Sequence, residues 1–423
     1  MKYRLLFIKY SGFPLEKITQ SFQRMPYLFY AFFTLLLLLW GVYPVKEGGF
    51  FFSTNLGHSS QHNYVNIFYS TEEEIDFLDH QITELLKEQN FNGNVLIARY
   101  GMLIYEKSMG YADFRNNTPL TSETSFQLAS ISKTFTSAAI LQLHNEGYLC
   151  LDEPVQDHIP EFPYPDITIK HLLNHTSGLQ NYMWMVERYW RKITPPTNED
   201  VMDLFIKYPR PLNFTPGKIF DYSNTGYVFL GLIIERVSQM SYADYIEENI
   251  FAPLEMHHSF VHDLQNPREK ENRAYGFRQW RGSHILIPDD NLDGPLGDKG
   301  VFSSITDLHK WDQALYRNTL LPEDITRMAF EYSKLNNDST FNYGLGWRLQ
   351  NYLGKKIIHH PGRWHGFRTS FKRFTNDHTT IIVLSNNNQS IADVIDGLQD
   401  ILYYDEKEIW MANIREEQPE ETN

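Results

Sequence analysis

Leu128–Glu146 reads LASISKTFTSAAILQLHNE, and the way this stretch is understood decides the fold. It holds Ser130-Ile131-Ser132-Lys133, the only S-x-x-K in the chain, at the start of a predicted helix over Ile131–Glu146 that Gly147 stops. Residues three apart on a helix share a face, so the Lys133 amine can approach the Ser130 hydroxyl. A serine hydroxyl is a poor nucleophile until a base takes its proton, and a lysine desolvated in a pocket can be neutral enough to help. The helix start adds partial positive charge and free N–H groups, both suited to a developing oxyanion.

Two further groups follow in order. Tyr222-Ser223-Asn224 comes after Phe214-Thr215-Pro216-Gly217 and before an apolar helix, Gly226–Val237. A buried tyrosine can shuttle protons, and an asparagine amide can hold a substrate carbonyl. Y-x-N also occurs at Tyr64 and Tyr316, so the triplet takes its meaning from its place after Ser130 and Lys133. His360-Pro361-Gly362, the only H-x-G, sits on a late strand before Arg363-Trp364-His365-Gly366-Phe367.

Around these groups the periodicity reads as an α+β body. A helix over Thr71–Asn90 opens it, with Ile75, Leu78, Ile82, Leu85 and Leu86 at helical spacing. Asn94–Ala98 and Met102–Tyr105 read as a hairpin through Gly101. From Leu151 to about Val301 the chain reads mostly as helices and loops. Strand patterns return at Trp347–Gln350, Lys356–His359, Arg368–Phe374 and Thr380–Leu384, and Asp393–Tyr404 reads as a closing helix. Strands at both ends of a helical middle predict that the terminal segments share one antiparallel sheet.

With S-x-x-K, Y-x-N and H-x-G in this order, the chain resembles the serine β-lactamase and penicillin-binding-protein superfamily, in its class C-like branch. The resemblance runs from Glu72 to about Tyr404. It is supported by Glu146–Val155 (EGYLCLDEPV), Ile167–Leu179 (ITIKHLLNHTSGL), Phe251–Met256 (FAPLEM) and Gly297–Trp311 (GDKGVFSSITDLHKW). The resemblance implies an antiparallel sheet flanked by helices, with a mostly helical subdomain inserted and the site between them. It also implies a serine hydrolase that works through an acyl-enzyme. Ser130 would be the acylated nucleophile, Lys133 its activating partner and Tyr222 the general base or proton shuttle. Asn224 would position substrate, His360 and Gly362 would line the third wall, and the N–H groups of Ser130 and Arg363 would form the oxyanion hole. His175-Thr176-Ser177-Gly178 would be a structural turn near the site.

Where many lactamases carry Lys-Thr-Gly, this chain has His360-Pro361-Gly362. Histidine is not a permanent cation at neutral pH, and proline offers neither a hydroxyl nor an N–H. β-Lactam hydrolysis is therefore not expected, and neutral esters are expected to be turned over better than carboxylate-bearing donors. An esterase or a peptidase for D-amino-acid or cell-wall-like peptides fits the residues, with a DD-peptidase or β-lactamase as the alternative. Arg363 could resupply charge, although alternation puts it on the face of Pro361, opposite Gly362. A non-catalytic sensor of wall fragments would need none of Ser130, Lys133, Tyr222 and Asn224.

Other chemistries leave no trace. There is no G-x-S-x-G, no Walker loop and no G-x-G-x-x-G. Asp289-x-Asn291-x-Asp293-Gly294 matches half a calcium loop, but Gly300 stands where a bidentate glutamate belongs, so it reads as an acidic surface loop. The pairs His257–His258 and His359–His360 would send their rings to opposite faces of a strand. Neither a metal nor a cofactor is called for. The 423 residues carry a net charge of −14, which argues against nucleic-acid binding, and the one cysteine, Cys150, excludes a disulfide framework.

The charge is unevenly spread. Residues 1–24 carry Lys2, Arg4, Lys9, Lys17 and Arg24 against Glu16 alone. Met25–Val45 then runs 21 residues without a charge, long enough to span a bilayer as a helix. The basic flank predicts a cytoplasmic N-terminus. The run is long for a signal-peptide core and no A-x-A site follows, so an uncleaved single-pass anchor is expected. The expected organisation is a basic stub (1–24), an anchor (25–45), a tether (46–70), an extracytoplasmic, periplasmic hydrolase domain (71–408) and an acidic tail (409–423).

Overall fold

Six antiparallel strands form the main sheet of the computed structural model, which describes residues 42–44, 50–52, 72–268, 270–404 and 407. They are β1 (Gly93–Arg99), β2 (Met102–Met109), β3 (Arg348–Tyr352), β4 (Lys355–Trp364), β5 (Phe367–Phe374) and β6 (Thr379–Ser385), in the order β3-β4-β5-β6-β1-β2. The predicted union of the chain's two ends occurs at the β6–β1 pairing, where Ile382 faces Leu96 and Ile381 faces Ile97. Alternation along these strands serves two cores. Val95, Ile97, Ile381 and Val383 pack with Ile82, Leu86, Val394 and Leu398 of the helices α1 (Glu72–Glu88) and α8 (Ala392–Leu402). Leu96, Ala98, Ile382 and Leu384 face the larger core, which holds Phe135 and Ile140 of α2 (Ser132–Asn145) and Trp311 of α7 (Ile305–Arg317). Each such valine, leucine or isoleucine side chain, fully buried, contributes roughly 1.5–3 kcal/mol.

Between α2 and α7 lie α3 (Ile169–Leu173), α4 (Tyr182–Tyr189), α5 (Asn198–Lys207) and α6 (Asn224–Ser238), the inserted helical body. The mostly helical and looped region also carries short strands that the sequence does not show. Val301–Ser303 pairs with Phe126–Gln127 on one side and Phe260–Val261 on the other, and Phe277–Trp280 forms a hairpin with Ser283–Leu286. Strands of two to four residues are too short to show a period of two.

The chain divides into two units, Met1–Asp76 and Phe77–Asn423. Of the expected anchor only Val42–Pro44 is described. It is a short strand paired with Phe50–Phe52 of the expected tether. The remainder of the anchor, the basic stub and the acidic tail lie outside the described residues. Among the described residues no helix is long and apolar enough to cross a membrane.

Candidate active site

Ser130 lies in a short 3₁₀ turn, Ala129–Ile131, immediately before α2. Ala129 adopts φ +52°, a left-handed conformation that costs an L-residue free energy and here turns the chain sharply into the helix. One turn on, Lys133 is fully buried; its Nζ donates to Ser130 Oγ at 3.2 Å and to the main-chain carbonyl of Asp298 at 2.7 Å. Burial pulls the Lys133 pKa down to about 8, with the Asp298 carboxylate working upward and the Arg348 guanidinium downward. The amine is therefore partly neutral near physiological pH, beside a hydroxyl that needs a base.

Tyr222 and Asn224 sit at the entrance to α6, a helix buried over Thr225–Ile234 whose Tyr227 hydroxyl donates to the Leu173 carbonyl at 2.7 Å. The Lys133 ammonium lies 5.2 Å from the centroid of the Tyr222 ring. The Tyr222 hydroxyl is shut from solvent beside the Ser130 hydroxyl, and the Asn224 Oδ1 atom is shut from solvent without a hydrogen-bond partner. Burial pushes the Tyr222 pKa well up, although the neighbouring Ser130 hydroxyl works the other way. At neutral pH Tyr222 is a neutral phenol able to donate a proton.

β4 carries the third group. It runs further than the expected Lys356–His359, through His360, Pro361, Gly362 and Arg363 to Trp364. β3 pairs with it only as far as His359, so Pro361 lacks an N–H where no strand needs one. Pro361 and Arg363 are exposed whereas His360 and Gly362 are buried, as alternation requires. Gly362 touches the nucleophile's own segment. A Cβ there would stand 2.2 Å from the Leu128 carbonyl oxygen and 2.0 Å from Thr369 Oγ1, so only glycine lets β4 lie against the turn bearing Ser130. Among the described residues no hydrogen bond or ion pair brings the Arg363 side chain to Ser130.

Several residues of the site escape the motifs. Arg348, the first residue of β3, holds its guanidinium 5.0 Å from the Tyr222 ring centroid, and its buried Nε has no partner. Tyr343 accepts from His175 Nε2 at 2.9 Å and donates to His360 Nε2 at 3.2 Å. His175, the first residue of the predicted structural turn, is thereby joined to the third motif; its Nδ1 accepts from the Ser223 N–H at 3.2 Å. Both imidazoles are held neutral, their pKa values driven well down by burial and then by the Lys133 charge. Tyr343-Gly344-Leu345-Gly346-Trp347-Arg348 is a glycine-punctuated run leading into a strand, the one sequence signal that could have marked this wall.

The acidic loop also needs correcting. Asp293 is buried, not superficial. It accepts from the Trp364 indole at 2.6 Å, from His365 Nε2 at 3.0 Å and from the Asp290 N–H at 2.8 Å, and so anchors the end of β4. Asp290, Asp293 and His365 bring their ligand atoms within 4.8 Å of one another, but both Asp293 oxygens already serve these N–H donors.

This fold, with a serine and a buried lysine one helical turn apart, defines a serine acyl-transfer enzyme. The sequence matches the Beta-lactamase family over residues 78–405, and the chain belongs to that family. It is 38% identical over 314 residues to penicillin-binding protein 4* of Bacillus subtilis, covering 72% of this chain and 70% of that protein. It is 31% identical over 330 residues to the putative penicillin-binding protein PbpX of the same organism, covering 76% and 78%. The crystal structure of a penicillin-binding protein from Bacillus halodurans superposes with a TM-score of 0.66 at 27% identity, covering 76% of this chain and 98% of that one. D-Amino acid amidase from Ochrobactrum anthropi shares the fold, with a TM-score of 0.64 at 22% identity over 78% of this chain and 99% of that one. The protein is a serine hydrolase of the β-lactamase-related superfamily, acting through an acyl-enzyme.

Proposed function

We propose that this chain is a membrane-anchored serine hydrolase whose acyl donors are cell-wall-type peptides bearing a carboxylate. The observation that carries the reading is the contact between the buried, partly neutral Lys133 and Ser130. In this mechanism Ser130 Oγ bonds to the donor's carbonyl carbon and its proton passes to Lys133 Nζ. The scissile C–N or C–O bond then breaks and the leaving group takes the Tyr222 proton, which Lys133 restores. Water attacks the ester by the same relay in reverse. Tyr222 is a carrier here and Lys133 the base, because burial keeps the phenol protonated. The partnerless Asn224 Oδ1 is satisfied by a donor N–H when substrate is bound.

Arg348 turns the reading away from neutral esters. The preference for them rested on the loss of a lysine cation from the third motif. Arg348, with an unsatisfied Nε beside Tyr222, returns a permanent cation to that wall and suits a carboxylate. The names of the penicillin-binding relatives agree with such a donor. Membrane attachment through Met25–Val45 belongs to the same reading and rests on the uncharged run and its basic flank.

The test compares a carboxylate-bearing D-alanyl peptide with a neutral short-chain ester, with fluorophosphonate and fluorescent penicillin as labels. Ser130→Ala should abolish labelling and turnover while keeping the fold. Arg348→Gln should lower kcat/KM for the peptide by about tenfold or more and leave the ester nearly unchanged. A wild type that prefers the neutral ester would restore the esterase reading. Full-length protein should resist carbonate extraction from membranes, and a mature N-terminus near Lys46 would show cleavage instead.

A further inference from the structure

The loop Gly297–Val301 is laced to the nucleophile's helix by its main chain. Thr136 Oγ1 donates to the Gly297 carbonyl at 2.6 Å, the Val301 N–H donates to Ser132 Oγ at 3.1 Å and the Leu128 N–H donates to the Val301 carbonyl at 2.8 Å. The carbonyl of Asp298, in the middle of the loop, receives Lys133 Nζ. That contact needs only a backbone. The side chain is a separate matter.

The Asp298 carboxylate is 1% exposed and its ion-pair partner, Lys299, 3%. Lys299 Nζ lies 3.3 Å from Asp298 Oδ1 and donates to the Tyr182 hydroxyl at 2.7 Å. Tyr182 in turn donates to Asp298 Oδ2 at 3.1 Å. Lys299 also lies 4.8 Å from the centroid of the Trp364 ring, at the end of the strand carrying the third motif. A buried ion pair seldom stabilises a fold better than apolar side chains of the same volume. Three polar groups closed in a ring next to the activating lysine therefore call for a reason other than stability.

We propose that Asp298 is a positioning residue for Lys133: its main chain holds the amine, and its buried carboxylate, clamped by Tyr182 and Lys299, sets the proton affinity of that amine. The inference rests on the acyl-hydrolase reading above. The groups facing Lys133 are Asp298 from the loop, Arg348 from β3, Tyr222 and Tyr227 from α6, His175 from the turn after α3 and His360 from β4. Both imidazoles are neutral, and burial keeps both tyrosines protonated. Among the described residues Asp298 is thus the carboxylate that acts on Lys133, set against Arg348. Without it the amine would lose its proton at lower pH; without Lys299 the carboxylate would act on the amine undiluted.

The experiment follows the rate of Ser130 labelling by a fluorophosphonate from about pH 6 to about pH 10 in the purified full chain. Wild type should rise through a midpoint near the Lys133 value of about 8. Asp298→Asn keeps the shape and the carbonyl, and should move the midpoint down by about one pH unit. Lys299→Met should move it up, and the double variant should return close to wild type. A merely structural role would lower the rate at every pH and leave the midpoint in place. Coincident midpoints for folded Asp298→Asn and wild type would overturn the inference. Where Asp298→Asn alone fails to fold, adding it to the Lys299→Met background removes the same carboxylate from a charge-balanced interior, and the midpoint must still fall. A wild type that takes no label at any pH would sink the hydrolase reading itself, a different result from unmoved midpoints.

Discussion

The hydroxyl of Tyr343 stands 3.2 Å from Nε2 of His360, and that contact gives a direction to a buried chain of hydrogen bonds. The Ser223 N–H donates to His175 Nδ1, so neutral His175 carries its proton on Nε2 and donates to Tyr343. Tyr343 then donates to His360, whose remaining proton, on Nδ1, goes to the Pro361 carbonyl. The chain joins the second motif to the third without passing through Ser130.

Tyr343→Phe breaks this chain while keeping the ring. Two buried imidazole nitrogens lose their partner, at about 1–3 kcal/mol. The melting temperature should fall by several degrees and kcat by roughly tenfold, with KM little changed, because the damage is to placement of Tyr222 and β4. Denaturation curves and steady-state kinetics would read both. A variant with wild-type kcat would show that the chain has no bearing on the site.

Gly362→Ala forces a methyl group against the Leu128 carbonyl and Thr369. The turn holding Ser130 must move, so labelling of Ser130 should drop by about a hundredfold or more. Circular dichroism should still show a folded chain. Labelling at the wild-type rate would mean that β4 yields and that the close approach is unimportant.

Lys133→Met exchanges the activating amine for an apolar chain of similar length. The folded-state pKa of about 8, against an ordinary 10.5, corresponds to about 3 kcal/mol disfavouring the ammonium. This penalty is complete below about pH 8 and vanishes above about 10.5, where the folded and unfolded amines are both neutral. The variant should be inactive yet more stable than wild type at pH 7, and its advantage should shrink as the pH rises through that window. Melting temperatures at the two ends of the window decide the matter, and a variant less stable at both would refute it.

His365→Gln tests the anchor at the end of β4. Burial pulls the His365 pKa down, but the hydrogen bond and charge of Asp293 outweigh it, and the net shift is upward. A raised pKa stabilises the fold below the unfolded value near 6.5, and that contribution is lost as pH rises through the folded value. The substitution should therefore destabilise more at about pH 5 than at about pH 8. Equal losses at both would show that the Asp293 contact is indifferent to charge.

The parts legible in the sequence are those that local geometry carries. Ser130 and Lys133 are three apart at a helix start, and the helix brings their functional atoms together almost unaided. Alternation along β4 separates Pro361 and Arg363 from His360 and Gly362 as the spacing requires. Arg348, Tyr343 and Asp298 carry no such local pattern. Each reaches the site because β3, the turn before it and the loop before α7 pack around α2, a placement that neither helical nor strand periodicity encodes. The burial of Asp293 is hidden from the sequence for the same reason. Its aspartates look like a solvated loop until Trp364 and His365 arrive from β4.

The sequence by itself determined the order of the three motifs, the two-ended sheet and the nucleophile with its lysine, because helical and strand periods act over a few residues and are written in them. Only the tertiary structure decided which charges surround that lysine and which backbone touches Gly362. Burial and electrostatic fields depend on distance through space, and packing brings residues such as Lys133, Asp298 and Arg348 together across long stretches of chain.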